Sequence, residues 1–425
     1  MKRTLGLEGV ARRSAMDGIL IEHATVVLPD RLLPEVAVLC REGRIERVAP
    51  AREMRAHCGD AGALEKIDAS GHYLAPGFID LHMHGLHEHL INDGPEHLAE
   101  ISRLLPRYGV TGFLPTVFPP PADEGMRLLR ALAQAPTDGA EILGFHLEGP
   151  FLTLAGALPA AFLGGSGRER ARSLIGSVAP RRAIFSVSPD YDGILDLLPL
   201  LARGGNPVFM THTSATVAQT QAAIEKGVRH ATHFYDVFPA PPETDPGVRP
   251  CGAVEAALAD PRVSVDFILD GEHVDPVAVK MALACKGPDR VCLITDANIG
   301  AGLPPGRYRF AESEIEFTRL GGPARLTGSR TPCANSSFPG ALAGSGLTMD
   351  RAVRNAVEML GVDLPQAVRM ASANPARVLG LDDEKGQIEE GFDADLVLLD
   401  ETLRVVQTWV RGECRYVLSE TRSLA

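Results

Sequence analysis

His82 and His84 form a His-x-His pair in PGFIDLHMHG (76–85), and residues two apart in an extended segment project to the same side. Four more groups of the same chemical kind follow at wide intervals. They are Glu148 in GFHLEGPFL (144–152), His212 in THTSAT (211–216), His233 in ATHFYD (231–236) and Asp296 in ITDA (294–297). Imidazole nitrogens and carboxylate oxygens suit zinc and other first-row divalent ions. Brought together, the six would surround one or two divalent metal ions, zinc foremost, with iron, manganese and cobalt as alternatives. Such an ion acidifies water and polarises a carbonyl oxygen, so hydrolysis is the chemistry to expect. Asp296 is then the group to take a proton from water and pass it to a leaving nitrogen. No Gly-x-Ser-x-Gly elbow offers a side-chain nucleophile in place of water.

A lone histidine is usually structural; the case here rests on where the six fall. Each lies at the end of a predicted strand. Short apolar runs alternate with helical stretches, which argues for buried parallel strands with covering helices. The strands expected are Phe78–His82, Gly112–Val117, Ile142–His146, Ala183–Val187, Pro207–Thr211, Arg229–Thr232, Val263–Leu269 and Val291–Thr295. Helices are expected over 121–135, 192–203, 216–226, 252–259 and 275–286. Eight such strands predict a (β/α)8 barrel of the α/β class, whose active site sits at the C-terminal ends of its strands. An open doubly wound sheet would give the same local signals, but neither a dinucleotide nor a P-loop glycine motif accompanies them. Within the third strand, His146 alternates with Glu148 and is a candidate to orient the ligands. His87 and His89 read as surface residues near the entrance.

At both ends the pattern is different. Residues 19–27, 35–40 and 44–49, and again 393–400, 404–410 and 414–418, read as short strands too few to close a domain alone. The economical arrangement is one small β domain built from both termini. The organisation expected is an N-terminal extension (1–17), a first β part (18–75), the catalytic barrel (76–380), and a second β part with a C-terminal tail (381–425).

Composition narrows the partners. The 425 residues carry 42 basic and 54 acidic side chains, a net charge of -12, which argues against nucleic acid. No apolar run is long enough for a membrane span, and the start lacks the apolar core of a signal peptide. The seven cysteines show no Cys-x-x-Cys spacing and read as isolated thiols in a cytoplasmic protein. Cys251 and Cys333, in Gly/Pro-rich surroundings, are the two that could approach a site.

Taken in order, the segments quoted above resemble the amidohydrolase superfamily, and most of all its N-acetylglucosamine-6-phosphate deacetylases. DGEHV (270–274), LAGSGLTMDRAVRN (342–355), ASANPARVLGL (371–381) and GQIEEGFDADLVLLD (386–400) add to the likeness. The resemblance implies a barrel with a small β-sandwich, removal of an acyl group such as acetyl from a small N-acylated substrate, and a homodimer. It implies a metal-binding trio of Glu148, His212 and His233, with Glu148 bridging to a second ion on His82 and His84. Asp296 becomes the catalytic acid/base, and His273 a residue that contacts substrate and orients the acyl group.

Two departures bear on substrate. Leu158 stands where the family has a sugar-contacting histidine, and Asp236, Val237 and Phe238 replace a phosphate-embracing Asn-Ala-Met. Arg249 matches a family arginine and is a candidate anion anchor, unless Asp236 neutralises it. LAGSGLTMD reads as a loop entering a helix. Two alternatives stay open: hydrolysis of a cyclic amide or another C–N bond, and a metal-stabilised binding protein without catalysis.

Overall fold

The computed structural model describes residues 18–58, 64–120, 122–158, 163, 167–310, 313–328 and 340–418. The expected extension (1–17), the end of the expected tail and Cys333 lie outside these residues.

Strands β1 (Gly18–Val27), β2 (Leu32–Arg41), β3 (Arg44–Pro50), β4 (Leu64–Asp68) and β5 (Tyr73–Pro76) come first. Eight barrel strands follow: β6 (Phe78–Met83), β7 (Val110–Val117), β8 (Phe145–Glu148), β9 (Ala183–Val187), β10 (Val208–Met210), β11 (Val228–Ala231), β12 (Ser264–Ile268) and β13 (Val291–Ile294). They pair in that order, all parallel. Their apolar side chains are buried on both faces because helices such as Ala122–Ala133, Ile194–Leu201, Val217–Glu225, Ala253–Ala259 and Pro276–Lys286 cover the outside. The sheet nearly closes where the chain leaving β13 meets β6. There the Asp296 N–H donates to the His82 carbonyl at 2.9 Å, and the His84 N–H to that of Ala297 at 2.8 Å.

An antiparallel sheet not foreseen from the sequence follows β13, comprising β14 (Gly306–Phe310), β15 (Ser313–Phe317), β16 (Pro323–Gly328) and β17 (Leu342–Ser345). The stretch at 342–345 is therefore a strand rather than a loop, and the expected helix begins at Met349. Leu152, Leu158, Phe310, Ile315 and Phe317 form an apolar cluster that seats this insert on the barrel mouth. β17 reaches the strand ends directly, with the Ser345 N–H donating to the Asp296 carbonyl at 2.8 Å.

The chain ends in β18 (Leu396–Leu399), β19 (Val405–Val410) and β20 (Glu413–Val417). These join the first strands in one mixed sheet, ordered β20-β19-β18-β5-β1-β2-β3 with β4 beside β1. Its separate core holds Ile21, Val38, Ile45, Leu396 and the buried Trp409. Among the described residues no helix is long and apolar enough to cross a membrane.

Candidate metal centre

Three of the site residues sit just past a strand end in the left-handed backbone region: His212 at φ 51°, His233 at φ 36° and Asp296 at φ 43°. That conformation is unfavourable for side chains other than glycine. It turns the chain sharply, so that the side chains point over the barrel axis instead of continuing the strand alternation. Glu148 ends β8, and His82 and His84 lie at and just beyond the end of β6.

Glu148 occupies the middle. Its Oε2 is 3.1 Å from His84 Nε2 and 3.8 Å from His82 Nε2, while Oε1 is 3.1 Å from His233 Nε2 and 3.3 Å from His212 Nε2. Two donor sets share this carboxylate: His82, His84 and Glu148, and Glu148, His212 and His233. Asp296 Oδ1 lies 3.5 Å from Nε2 of both His82 and His84. Around a tetrahedral ion with bonds of about 2.1 Å, neighbouring ligand atoms are separated by roughly 3.4 Å. The observed spacings bracket that edge.

The outer nitrogens show which ring atoms face inward. His212 Nδ1–H donates to the Leu154 carbonyl at 2.9 Å, which leaves Nε2 with its lone pair directed at Glu148. A lone pair facing a carboxylate is repulsive unless a cation lies between them. The electrostatics agree. Burial lowers the His233 pKa, but the hydrogen bond and charge of Glu148 carry it up to about 10. Burial raises Glu148, yet the surrounding imidazoles hold it well below the usual carboxylate range. The shared carboxylate thus favours positive charge on His84 and His233, while burial pushes His82 the other way, and a divalent ion beside Glu148 would meet the same demand.

Burial pushes the Asp296 carboxyl up to about 6, against the opposing pull of His84 and His233. His273 is anchored through Nδ1–H to Asp270 Oδ2 at 2.8 Å. Its Nε2 is buried and has no partner among the described residues. Burial lowers the His273 pKa, but the Asp270 hydrogen bond more than offsets this; Asp270 thus fixes which ring nitrogen is left unbonded. Neither Asp270 nor this pairing was foreseen; Asp270 in DGEH, three residues before His273, was the available signal.

A cavity of about 60 Å³ opens over the ligands, room for a few waters or a short acyl chain. Leu158, Val237, Phe118, Phe310 and Ala343 form its apolar walls, and Asp236 and Asn298 its polar ones. Phe310 and Ala343 come from the unforeseen insert. Arg249 is not among the lining residues: its side chain is 82% exposed and pairs with Glu255 at 2.9 Å, not with Asp236. His146 lies under the ligands, its ring edge-on to His82 at 4.7 Å and its Nε2 on Ser186 Oγ at 2.6 Å. His87 bonds Tyr108 and His89 faces His97, and Cys251 is exposed.

Two other features resemble sites but have local explanations. A larger cavity, about 420 Å³, opens at the opposite end of the barrel and is lined by Arg229, Arg262, Arg290 and Arg377. Arg229 there donates to the carbonyls of Ile224 and Val228, and Arg262 pairs with Asp260 and Glu225. The carboxylates of Glu141, Asp393 and Asp395 converge as metal ligands might. The Lys385 ammonium already fills that position, 2.7 to 2.9 Å from all three.

Comparison with known proteins places this geometry in context. Residues 327–415 match the model of the amidohydrolase family. N-acetylgalactosamine-6-phosphate deacetylase of Escherichia coli O157:H7 is 33% identical over 372 residues, 85% of this chain and 94% of that protein. N-acetylglucosamine-6-phosphate deacetylase of Lysinibacillus sphaericus is 31% identical over 403 residues, 93% and 97% of the two chains. Among solved structures, N-acetylglucosamine-6-phosphate deacetylase from Pasteurella multocida superposes with a TM-score of 0.80 at 26% identity, covering 93% of this chain and 99% of the other. The Mycobacterium smegmatis enzyme in complex with N-acetyl-D-glucosamine-6-phosphate gives 0.78 at 28%, covering 95% and 100%.

Proposed function

The chain belongs to the amidohydrolase superfamily, is closely related to its N-acetylglucosamine-6-phosphate deacetylases, and is a metal-assisted amide hydrolase; we propose that it removes an acetyl group from an N-acetylated amino sugar or its phosphate. The observation that carries this reading is Glu148 shared between two histidine pairs, with Asp296 3.5 Å from both members of one pair.

His82, His84, Glu148, His212 and His233 would hold one or two ions, zinc foremost given the mixture of imidazole and carboxylate donors. A divalent ion so held supplies Lewis acidity, acidifying water and polarising the acyl oxygen. Asp296 accepts a proton from the attacking water and then delivers it to the departing nitrogen. A carboxyl raised to about 6 can both take and release a proton near neutral pH. His273, as the protonated ring that Asp270 favours, would donate from Nε2 to the acyl oxygen, with Asp270 holding it at Nδ1. Leu158, Val237, Phe118 and Phe310 exclude bulk water and shape the space for the acyl group, and Asp236 lies on the polar side. We further propose a homodimer, on the pattern the family resemblance implies, acting in the cytoplasm, as the isolated thiols suggest.

Zinc-loaded protein assayed with N-acetylated amino sugars, their 6-phosphates and N-acetyl amino acids provides the test. Acetate release from the sugars is expected, and comparing sugar with phosphate settles whether an anion is recognised. A metal-loaded protein that releases no acetate anywhere on this panel sinks the substrate proposal.

A further inference from the structure

Beneath the ligand cluster the barrel holds a fully buried carboxylate, Asp266 on β12. A barrel interior is ordinarily filled by branched apolar side chains, and a buried carboxylate needs several donors to remain there. Asp266 has three, and all come from β11 or the residues just after it. His230 Nε2 lies 2.7 Å from Oδ2, the Thr232 hydroxyl donates to Oδ2 at 3.1 Å, and the backbone N–H of His233 donates to Oδ1 at 2.5 Å. Thr232 Oγ1 also lies 3.2 Å from His82 Nδ1.

The proton count gives these contacts a direction. A hydroxyl carries one proton, and that of Thr232 goes to the carboxylate, which can only accept. Towards His82, Thr232 must then be the acceptor and Nδ1–H the donor. His82 is fixed as the tautomer whose Nε2 lone pair faces Glu148 and Asp296. Through its other oxygen the same carboxylate pins the backbone of His233 in its unfavourable left-handed turn (φ 36°). One group outside the ligand set therefore reaches both donor pairs: His82 through Thr232, and His233 through its amide.

We infer that Asp266 and Thr232 are positioning residues that fix the His82 tautomer and the His233 turn, and so set the metal affinity of both halves of the centre. Thr232→Val keeps the shape of the side chain and removes the acceptor, whereas Thr232→Ser keeps the hydroxyl. Zinc affinity is read by competition with a chromophoric chelator. The ring protonation of His82 is read by long-range 15N–1H correlation on histidine-labelled protein, assigned with a His82→Gln control. The valine variant is expected to bind zinc about 10- to 100-fold more weakly and to lose the Nδ1–H signature of His82, and serine to restore both. Asp266→Asn, with its fold checked by circular dichroism, is expected to weaken binding at least as much as the valine variant. A valine variant that retains either the wild-type zinc affinity or the wild-type His82 tautomer overturns the inference.

Discussion

Asp270 holds His273 by Nδ1, at 2.8 Å, and leaves Nε2 buried without a partner among the described residues. One nitrogen of this imidazole is left to bond a ligand, and the Asp270 charge favours the protonated ring in which that nitrogen donates. Asp270→Asn keeps the size of the side chain but withdraws the charge that raises His273. We expect kcat to fall by about 10²–10³, the range found when a preorganised donor to a developing oxyanion is lost, with KM changing much less. Steady-state kinetics with the best N-acetyl substrate check this, and an unchanged kcat removes His273 from the chemistry.

Asp296→Asn should lower kcat by about 10²–10⁴, the usual contribution of a positioned acid/base, while metal analysis shows the ions still present. The sign of the pH dependence follows from burial. Only the ionised carboxylate can accept the water's proton, so activity is lost as pH falls through the pKa. Wild-type kcat/KM is therefore expected to show an acid limb no higher than about 6, since a nearby cation lowers it further. A limb well above neutrality would contradict the assignment.

Gly156 adjoins His212, in the left-handed region at φ 58°. A Cβ placed there would come within 2.7 Å of His212 Cε1, closer than real side chains approach. Gly156→Ala should displace the imidazole and weaken metal binding by about 10- to 100-fold, as disturbed ligand supports do. Zinc competition titration reads the effect, and a thermal melt confirms that the barrel remains folded.

Lys385 tests the junction between barrel and terminal sheet instead of the chemistry. It is 5% exposed and neutralises Asp393 and Asp395, which are themselves 1% and 6% exposed. Lys385→Met would remove the ammonium from both buried carboxylates, leaving Asp393 only the more distant Arg44 and Arg411 at 3.3 and 3.6 Å, a change that costs about 3–5 kcal/mol. Urea unfolding should show the midpoint shifting accordingly, with kcat little altered in the folded fraction.

The eight barrel strands were legible because a parallel strand covered on both faces is a short apolar run, and runs such as Ala183–Val187 begin and end sharply. Polar residues at the ends of such runs were equally visible, so His82, His84, Glu148, His212, His233 and Asp296 could be named before their distances were known. The insert at 306–345 went unread although GRYRF alternates charged and aromatic residues in the manner of a half-buried strand. Its role as a cavity wall depends on where it folds back, which no local pattern carries. The orientation of Arg249 was beyond reach for the same reason: a long side chain on a loop pairs with whichever carboxylate the loop's path brings near, here Glu255. Asp266 was hidden inside an apolar run, where one acidic residue reads as an irregularity.

The terminal sheet has a consequence for biosynthesis. β5 is complete once residue 76 has been made, yet its partner β18 begins at residue 396, so the ribosome must add some 320 residues (396 minus 76) before the two can pair. Until then β5 pairs only with β1, and its other edge, which β18 will cover, stays open, an invitation to association with other chains. The catalytic barrel can form in the interval, because its strands pair with near neighbours in sequence. Emergence of β18, and not assembly of the active centre, is then the step at which this edge closes against neighbours in a crowded cell.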